Sequence, residues 1–283
     1  MHACPICQSE SKPAWQYREY EIFECLGCTL QFVYPIQSGS LDYYQNHYVE
    51  TAQAIQAGDI HPGFAYLIGQ IDQTIQYFLK PDQKSVIDIG CGSGYVLSEL
   101  KKRGFDVLGI DFNPDAIRIA QEHFHLNAQV GRIEDLVALD SKFDFALLVH
   151  VLEHVEDPLS LLRNIRQVLA PNGILLVDLP NRDRFAIRRS LTRGEMEPGE
   201  YPPHHLTFWS TASLVRALQL TGYSVIECHP RPFNEENQVG LFLGHRLRLP
   251  GRVTAALSRV IGAVGRLLGL QGGTIYAVAR RAD

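Results

Sequence analysis

The stretch from Ser85 to Asn113 constrains this chain more than any other, because it reads as strand, glycine turn, helix, strand and acid in immediate succession. Val86, Ile87 and Ile89 form an apolar run too short for a helix. Gly90, Gly92 and Gly94 follow, where a backbone turns tightly and approaches a ligand with no Cβ in the way. The expected helix carries Leu97 and Leu100 on one face, Lys101, Lys102 and Arg103 in its last turn, and Gly104 as its stop. Phe105 to Ile110 reads as the second strand. Asp111 then lands at its carboxyl end, where an open α/β sheet binds ligands and a carboxylate holds the two hydroxyls of a ribose. The arrangement implies a nucleoside-bearing cofactor.

Spacing narrows the cofactor. A dinucleotide loop runs G-x-G-x-x-G and sets a pyrophosphate on the helix N-terminus. Here the spacing is G-x-G-x-G, and Asp88 stands just ahead of the first glycine. A carboxylate there repels a pyrophosphate and suits a cationic ligand. S-adenosylmethionine, with a sulfonium, an α-amino group, an adenosine and no phosphate, meets both demands. The D-x-G-x-G-x-G pattern resembles motif I of the class I S-adenosylmethionine-dependent methyltransferases. Three later segments extend the resemblance in order. Gly131 to Leu136 is similar to that family's adenine-side loop, Phe143 to Val155 to its fourth strand and following turn, and Leu169 to Val177 to the L-x-P-G-G approach to its fifth strand. The resemblance implies a Rossmann-like seven-stranded sheet of order 3-2-1-4-5-7-6 with the last strand antiparallel. It places Asp88, Gly90, Gly92 and Gly94 at the methionine portion of the cofactor and Asp111 at the ribose. Phe112 then packs on adenine, Ile133 and Glu134 line its far side, and His150 lies beside the methionine end.

With 283 residues, 46% of them apolar, the chain is long enough for one large domain plus a small accessory unit. No apolar run reaches about 18 residues and the N-terminus lacks signal-peptide character, so a soluble cytoplasmic protein is expected. From Asn237 onward there are seven arginines and one acid, which gives this tail +6 and leaves −11 on the rest of a chain of net charge −5. So acidic a body is a poor surface for nucleic acid. Cys4-Pro-Ile-Cys7 and Cys25-Leu-Gly-Cys28, with seventeen residues between them, have the spacing of a four-thiolate zinc site. Tyr17–Phe23 and Leu30–Tyr34 alternate as strands, so a small zinc ribbon is expected, its metal structural. Cys91 and Cys228 read as ordinary buried residues.

The expected organisation is a ribbon over residues 1–35, a connector and amphipathic helix over 36–84, and the cofactor domain over 85–283. Asn113-Pro114 and Asp157-Pro158 each open a helix with a cap followed by proline. Two stretches exceed a minimal fold, 181–209 and 231–273, and both are candidates for building a substrate pocket.

Histidines supply the candidate bases. His150-Val-Leu-Glu-His154 puts His150 and His154 one turn apart if the segment is helical, with Glu153 beside them. It resembles the E-x-x-E-H segment of the ubiquinone-biosynthesis O-methyltransferases, whose acidic and histidine residues are associated with a divalent metal. His150 replaces the first acid, so local capping and hydrogen bonding is the reading preferred for Glu153 and His154. Tyr201-Pro-Pro-His204-His205 lies just ahead of a helix at Ser210 and is expected over the cofactor mouth. His204, His205 and His154 are therefore the candidates to take a proton from an acceptor hydroxyl. Arg252, Arg259 and Arg266 recur every seven residues among Leu257, Val260, Ile261, Val264, Leu267 and Leu268. The helix they imply suits a lid, a homodimer contact or a peripheral membrane contact, the protein-buried versions being preferred. The reading is an S-adenosylmethionine-dependent methyltransferase acting on oxygen of a small-molecule, sugar or glycan-type acceptor. Its rivals are an RNA methyltransferase that grips RNA with the ribbon, and a non-catalytic cofactor-binding scaffold.

Overall fold

The computed structural model describes residues 2–37, 62–138, 140–184, 202–232 and 250–282. The tyrosine-rich connector and the middle of both long insertions lie outside these residues. Three N-terminal strands, β1 (Ser11–Tyr17), β2 (Tyr20–Cys25) and β3 (Gln31–Tyr34), precede helix α1 (Pro62–Phe78). Then come β4 (Ser85–Ile89), α2 (Tyr95–Lys102), β5 (Asp106–Asp111), α3 (Pro114–Glu122), β6 (Ala128–Val130), α4 (Ile133–Ala138) and β7 (Phe143–Val149). The remainder is α5 (Pro158–Val168), β8 (Leu169–Pro180), β9 (Thr207–Phe208), α6 (Thr211–Leu220), β10 (Tyr223–Pro232), α7 (Gly251–Leu267) and β11 (Gln271–Arg281).

Seven strands form one sheet in the order β10-β11-β8-β7-β4-β5-β6. β4, β5, β6, β7 and β8 pair in parallel, while β11 runs antiparallel to both β8 and β10. This is the expected 3-2-1-4-5-7-6 arrangement with its reversed last strand. Helices cover both faces, which is why β4, β7 and β8 are apolar on both sides rather than alternating. The caps anticipated at Asn113 and Asp157 are made. The Asn113 side chain accepts from the amides of Asp115 and Ala116, and Asp157 accepts from Ser160. Asp157, and not Glu153 or His154, is thus the cap of α5. Ser210 and Ser213 cap α6 reciprocally.

The ribbon differs from the expected finger over Tyr17–Phe23. Arg18 takes a left-handed conformation (φ 51°) and the chain reverses there, so β1 and β2 form a hairpin. β9 extends this sheet on its far side, giving β1-β2-β3-β9, and the amide of Val33 donates to the Leu206 carbonyl at 2.9 Å. The ribbon is therefore sewn to the segment before α6. Phe23, Leu30 and Phe32 share one continuous core with Trp209, Leu214 and the β8 residues Leu175 and Val177. In α7, Val253, Val260, Val264 and Leu267 are exposed along one side, and the buried side carries Thr254 and Gly265. The described residues of its own chain do not cover that apolar stripe. No helix among the described residues is long and apolar enough to cross a membrane.

Candidate active site

The glycine loop is pinned across the strand ends. The amides of Gly90 and Cys91 both donate to the Ile110 carbonyl, at 2.8 and 3.0 Å, which ties the end of β4 to β5. Gly90, Gly92 and Gly94 all have positive φ, a conformation costly for any residue with a Cβ. A Cβ on Gly90 would stand 2.4 Å from Cγ2 of Val151, so the loop presses against the turn after β7. Around the Cβ position of Gly92 no atom lies within 4 Å, an open cradle. Its amide donates to Oδ2 of Asp111 at 2.9 Å, and Oδ1 of Asp111 accepts from the Asn113 amide at 2.8 Å. Burial pushes the Asp111 carboxyl up, and these amides oppose the shift.

Asp88 is buried, and its Oδ1 has no hydrogen-bond partner. Burial, and then the charge of Asp111, push its carboxyl up to about 8. An orphaned carboxylate oxygen in a cofactor loop is a place where a cationic group relieves a desolvation cost. That chemistry fits a sulfonium- and ammonium-bearing ligand.

One cavity of about 620 Å³ opens beside the loop, in the size range of small-molecule sites. Gly90, Asp111, Phe112, Ile133, Glu134, His150 and His154 all line it. Asp88, Gly92 and Gly94 are outside its lining. Asn164 of α5 donates to Glu134 at 2.8 Å and so fixes one edge of the rim.

The opposite wall begins where β7 ends. His150 is left-handed (φ 53°), so the segment to His154 is a set of turns and not the helix that would have stacked the two histidines. The His150 amide donates to the Asp178 carbonyl at 2.8 Å. Its ring lies between two buried carboxylates, with Nδ1 3.4 Å from Oε1 of Glu153 and Nε2 3.5 Å from Oδ1 of Asp178. Burial works against the imidazolium, yet the two close carboxylates, Asp178 first and then Glu153, lift His150 to about 10. Asp178 also receives Nη2 of Arg231 at 2.5 Å, and the guanidinium lies over the Tyr66 ring at 4.8 Å. Sequence reasoning missed Asp178, Arg231 and Tyr66. The available signal was an acid interrupting the apolar run of β8.

His154, His204 and His205 come together behind this wall. Centroids of His154 and His204 are 4.4 Å apart, those of His154 and His205 4.9 Å, and those of His204 and His205 5.4 Å with the rings stacked. The amides of Leu206 and Thr207 both donate to the Glu153 carbonyl, at 2.8 and 3.2 Å, and so lay the Pro-Pro-His-His segment along the turn. His204 and His205 are buried, and of the three only His154 lines the cavity. Burial, reinforced by the neighbouring imidazoles, holds His205 well below the usual range and hence neutral. Glu153 is 1% exposed, and neither of its carboxylate oxygens has a hydrogen bond. Its close polar neighbours are the imidazoles of His150 and His154, the latter at 3.7 Å.

The four ribbon sulfurs lie within 4.8 Å of one another. Sγ of Cys4 is 3.6 Å from that of Cys28, and Cys7 is 3.4 Å from Cys25. These separations exclude disulfides, and they approach the roughly 3.8 Å edge of a tetrahedron with metal–sulfur bonds of about 2.3 Å. The two halves match. Gln8 and Thr29, each after the second cysteine of its pair, are left-handed, and each donates its amide back to the first cysteine's carbonyl. The amides of Ile6, Gly27 and Cys28 point at sulfur, at 3.3 to 3.4 Å. The donor set suits Zn²⁺.

A methyltransferase domain family model matches residues 64–228. The chain is 30% identical over 163 residues to a ubiquinone biosynthesis O-methyltransferase of Coxiella burnetii, covering 52% of this chain and 68% of that one. A protein of the same name from Pasteurella multocida is 29% identical over 166 residues, covering 50% and 69%. Among solved structures, the plantazolicin methyltransferase BpumL in complex with SAH superimposes over 86% of this chain and 92% of its own, with a TM-score of 0.57 and 19% identity. An Archaeoglobus fulgidus SAM-dependent methyltransferase does so over 76% and 93%, with a TM-score of 0.53 and 18% identity. Both share the fold. With the glycine loop, the strand order and the cavity, these matches establish that the chain belongs to the class I S-adenosylmethionine-dependent methyltransferases, and is an enzyme of that kind.

Proposed function

We propose that this enzyme methylates an oxygen of a small hydroxylated acceptor, which enters the cavity between the glycine loop and the histidine wall. The observation that carries the reading is that one cavity is lined on one side by Gly90, Asp111 and Phe112 and on the other by His150 and His154. Proteins named for O-methylation in ubiquinone biosynthesis are among its relatives, which supports oxygen as the acceptor atom. S-adenosylmethionine, when bound, supplies a sulfonium-activated methyl group for an in-line displacement. Asp111 holds the ribose and Phe112 the adenine, with Ile133 and Glu134 on its far side. Asp88, through the backbone of Gly90, Gly92 and Gly94, faces the positive end with a buried negative charge. His150, kept as an imidazolium by Glu153 and Asp178, pairs with the cofactor carboxylate. The acceptor hydroxyl gives up its proton beside His154, with His204 and His205 buried behind it. Cys4, Cys7, Cys25 and Cys28 hold a structural zinc. The reaction needs alignment and exclusion of water more than covalent chemistry.

The test is transfer of label from methyl-tritiated S-adenosylmethionine to three acceptor pools: hydroxylated small molecules, sugar nucleotides and total RNA. Label in hydroxylated small molecules or sugars, in an alkali-stable ether, supports O-methylation. Label confined to RNA, or in no pool although cofactor binds, overturns it.

A further inference from the structure

We infer that His154, His204 and His205 form a second metal site, for a first-row divalent transition ion, separate from the four-cysteine centre. One ligand nitrogen from each histidine lies within 4.8 Å of the others. Bonds of about 2.0–2.1 Å to a shared ion bring such nitrogens to about 3–3.5 Å, a closure within reach of small ring rotations. The tautomer of His154 is fixed by its partner. Its Nδ1 lies 2.8 Å from the His204 carbonyl oxygen, which only accepts, so Nδ1 carries the hydrogen and Nε2 presents a lone pair. A backbone carbonyl behind one ring nitrogen is the usual support for a metal bound at the other.

Charge argues the same way. Glu153 is buried against the cluster, 3.7 Å from Nε2 of His154, with neither oxygen hydrogen-bonded. A divalent ion among the three imidazoles places a second cation beside that carboxylate, in addition to His150. Three nitrogen donors select Zn²⁺, Fe²⁺, Co²⁺ or Ni²⁺ over Mg²⁺ and Ca²⁺, which demand oxygen. Three protein ligands leave coordination positions open, as in catalytic sites, and His154 sets one side of the ion on the cavity. The binding claim stands without the O-methylation reading; the use of the ion rests on it. An acceptor hydroxyl bound in the open position loses its proton to cavity water more readily. Its oxygen lone pair then forms the bond to the methyl carbon, while sulfur keeps the electrons of the broken C–S bond.

The experiment is Co²⁺ titration of full-length, metal-stripped and reduced protein, followed by absorption spectroscopy. Wild type should take two equivalents, one with thiolate-to-cobalt charge-transfer bands and one with nitrogen-type ligand-field bands alone. The double variant His204→Gln/His205→Gln should take one equivalent, keep the thiolate bands and bind S-adenosylhomocysteine as wild type does. Those bands and that binding show that it is folded. Mg²⁺ at millimolar concentration should not displace the second cobalt. A single equivalent in wild type, or a second equivalent surviving in the variant, overturns the site. Neither result bears on which acceptor is methylated.

Discussion

Replacing Gly90 by alanine tests how tightly the glycine loop is held against the acceptor wall. Two costs are separable. The backbone cost comes from φ of 74°, where a residue with a Cβ loses about 1–2 kcal/mol. The steric cost comes from the new methyl, which would stand 2.4 Å from Cγ2 of Val151, far inside van der Waals contact. Neither partner yields easily. The Gly90 amide is bonded to Ile110, and Val151 follows His150, whose own amide is bonded to Asp178. Overpacking of a fixed contact costs about 1–3 kcal/mol. Together Gly90→Ala should destabilise by about 2–5 kcal/mol, or lower Tm by roughly 5–20 °C for a chain of this size.

Val151→Ala removes the methyl that is struck and leaves the backbone cost untouched. In a double-mutant cycle, urea unfolding of wild type, both single variants and the pair should give a favourable coupling of about 1–3 kcal/mol. Measured against Val151→Ala, the pair should then show the backbone cost alone. Strict additivity, or a Gly90→Ala variant within about 1 kcal/mol of wild type, would refute the contact as the reason for glycine at this position.

Asp88→Asn should stabilise the cofactor-free enzyme at pH 8 and weaken S-adenosylmethionine binding. In the folded protein the acid holds its proton up to about 8, against about 3.9 unfolded, so stability is greatest below the unfolded value and falls as pH rises through that window. Wild type should therefore bind the cationic cofactor more tightly from pH 6 to 8, with proton release seen by calorimetry in two buffers; an equal slope in Asp88→Asn counts against this. Cys28→Ser should cost the ribbon its zinc, measured as loss of one thiolate-bound metal per chain. For α7, co-sedimentation should be stronger with anionic than with neutral liposomes, and Arg252→Glu/Arg259→Glu should abolish the difference, since both arginines are exposed beside the bare apolar stripe. Equal sedimentation with both lipids, together with a dimer by ultracentrifugation, would assign the stripe to a second copy instead.

What was readable in the sequence was written locally. β4, the glycine turn, α2 and β5 follow from an apolar run, three glycines and a basic helix end, and nothing distant is needed to place them. The two proline-first caps are likewise local. The features that were not readable depend on partners far along the chain. β9 is only Thr207–Phe208, too short for any periodicity, and is a strand because β3 lies beside it. His150 could not be kept out of a helix by inspection, since its left-handed conformation answers to Asp178, whose carbonyl takes its amide and whose carboxylate takes its ring. The histidine cluster required two segments about fifty residues apart to be joined through the Glu153 carbonyl.

That joining gives the ribbon a role beyond holding itself together. The residues directly after His204 and His205 are bonded on one side to Glu153 and on the other to β3, through the Val33 amide to the Leu206 carbonyl. Thr29 and Ser210 hydroxyls meet at 2.6 Å, and Arg182 bridges Glu24 at 3.0 Å and the Thr29 carbonyl. The ribbon and the segment that carries His204 and His205 are thus tied together at several points. Both tryptophans report on the seam, since Trp15 packs edge-on against Phe208 and Trp209 donates to Thr207 at 2.9 Å. Val33→Pro removes the one amide that β3 spends on Leu206 without touching a cysteine or the glycine loop. It should red-shift tryptophan emission and lower methyl transfer at least tenfold while S-adenosylhomocysteine affinity stays within a few-fold, because the loop hangs from β4 and β5 and not from the ribbon. An independent nucleic-acid-gripping module predicts the opposite: unchanged transfer to a small acceptor and a loss seen only with RNA.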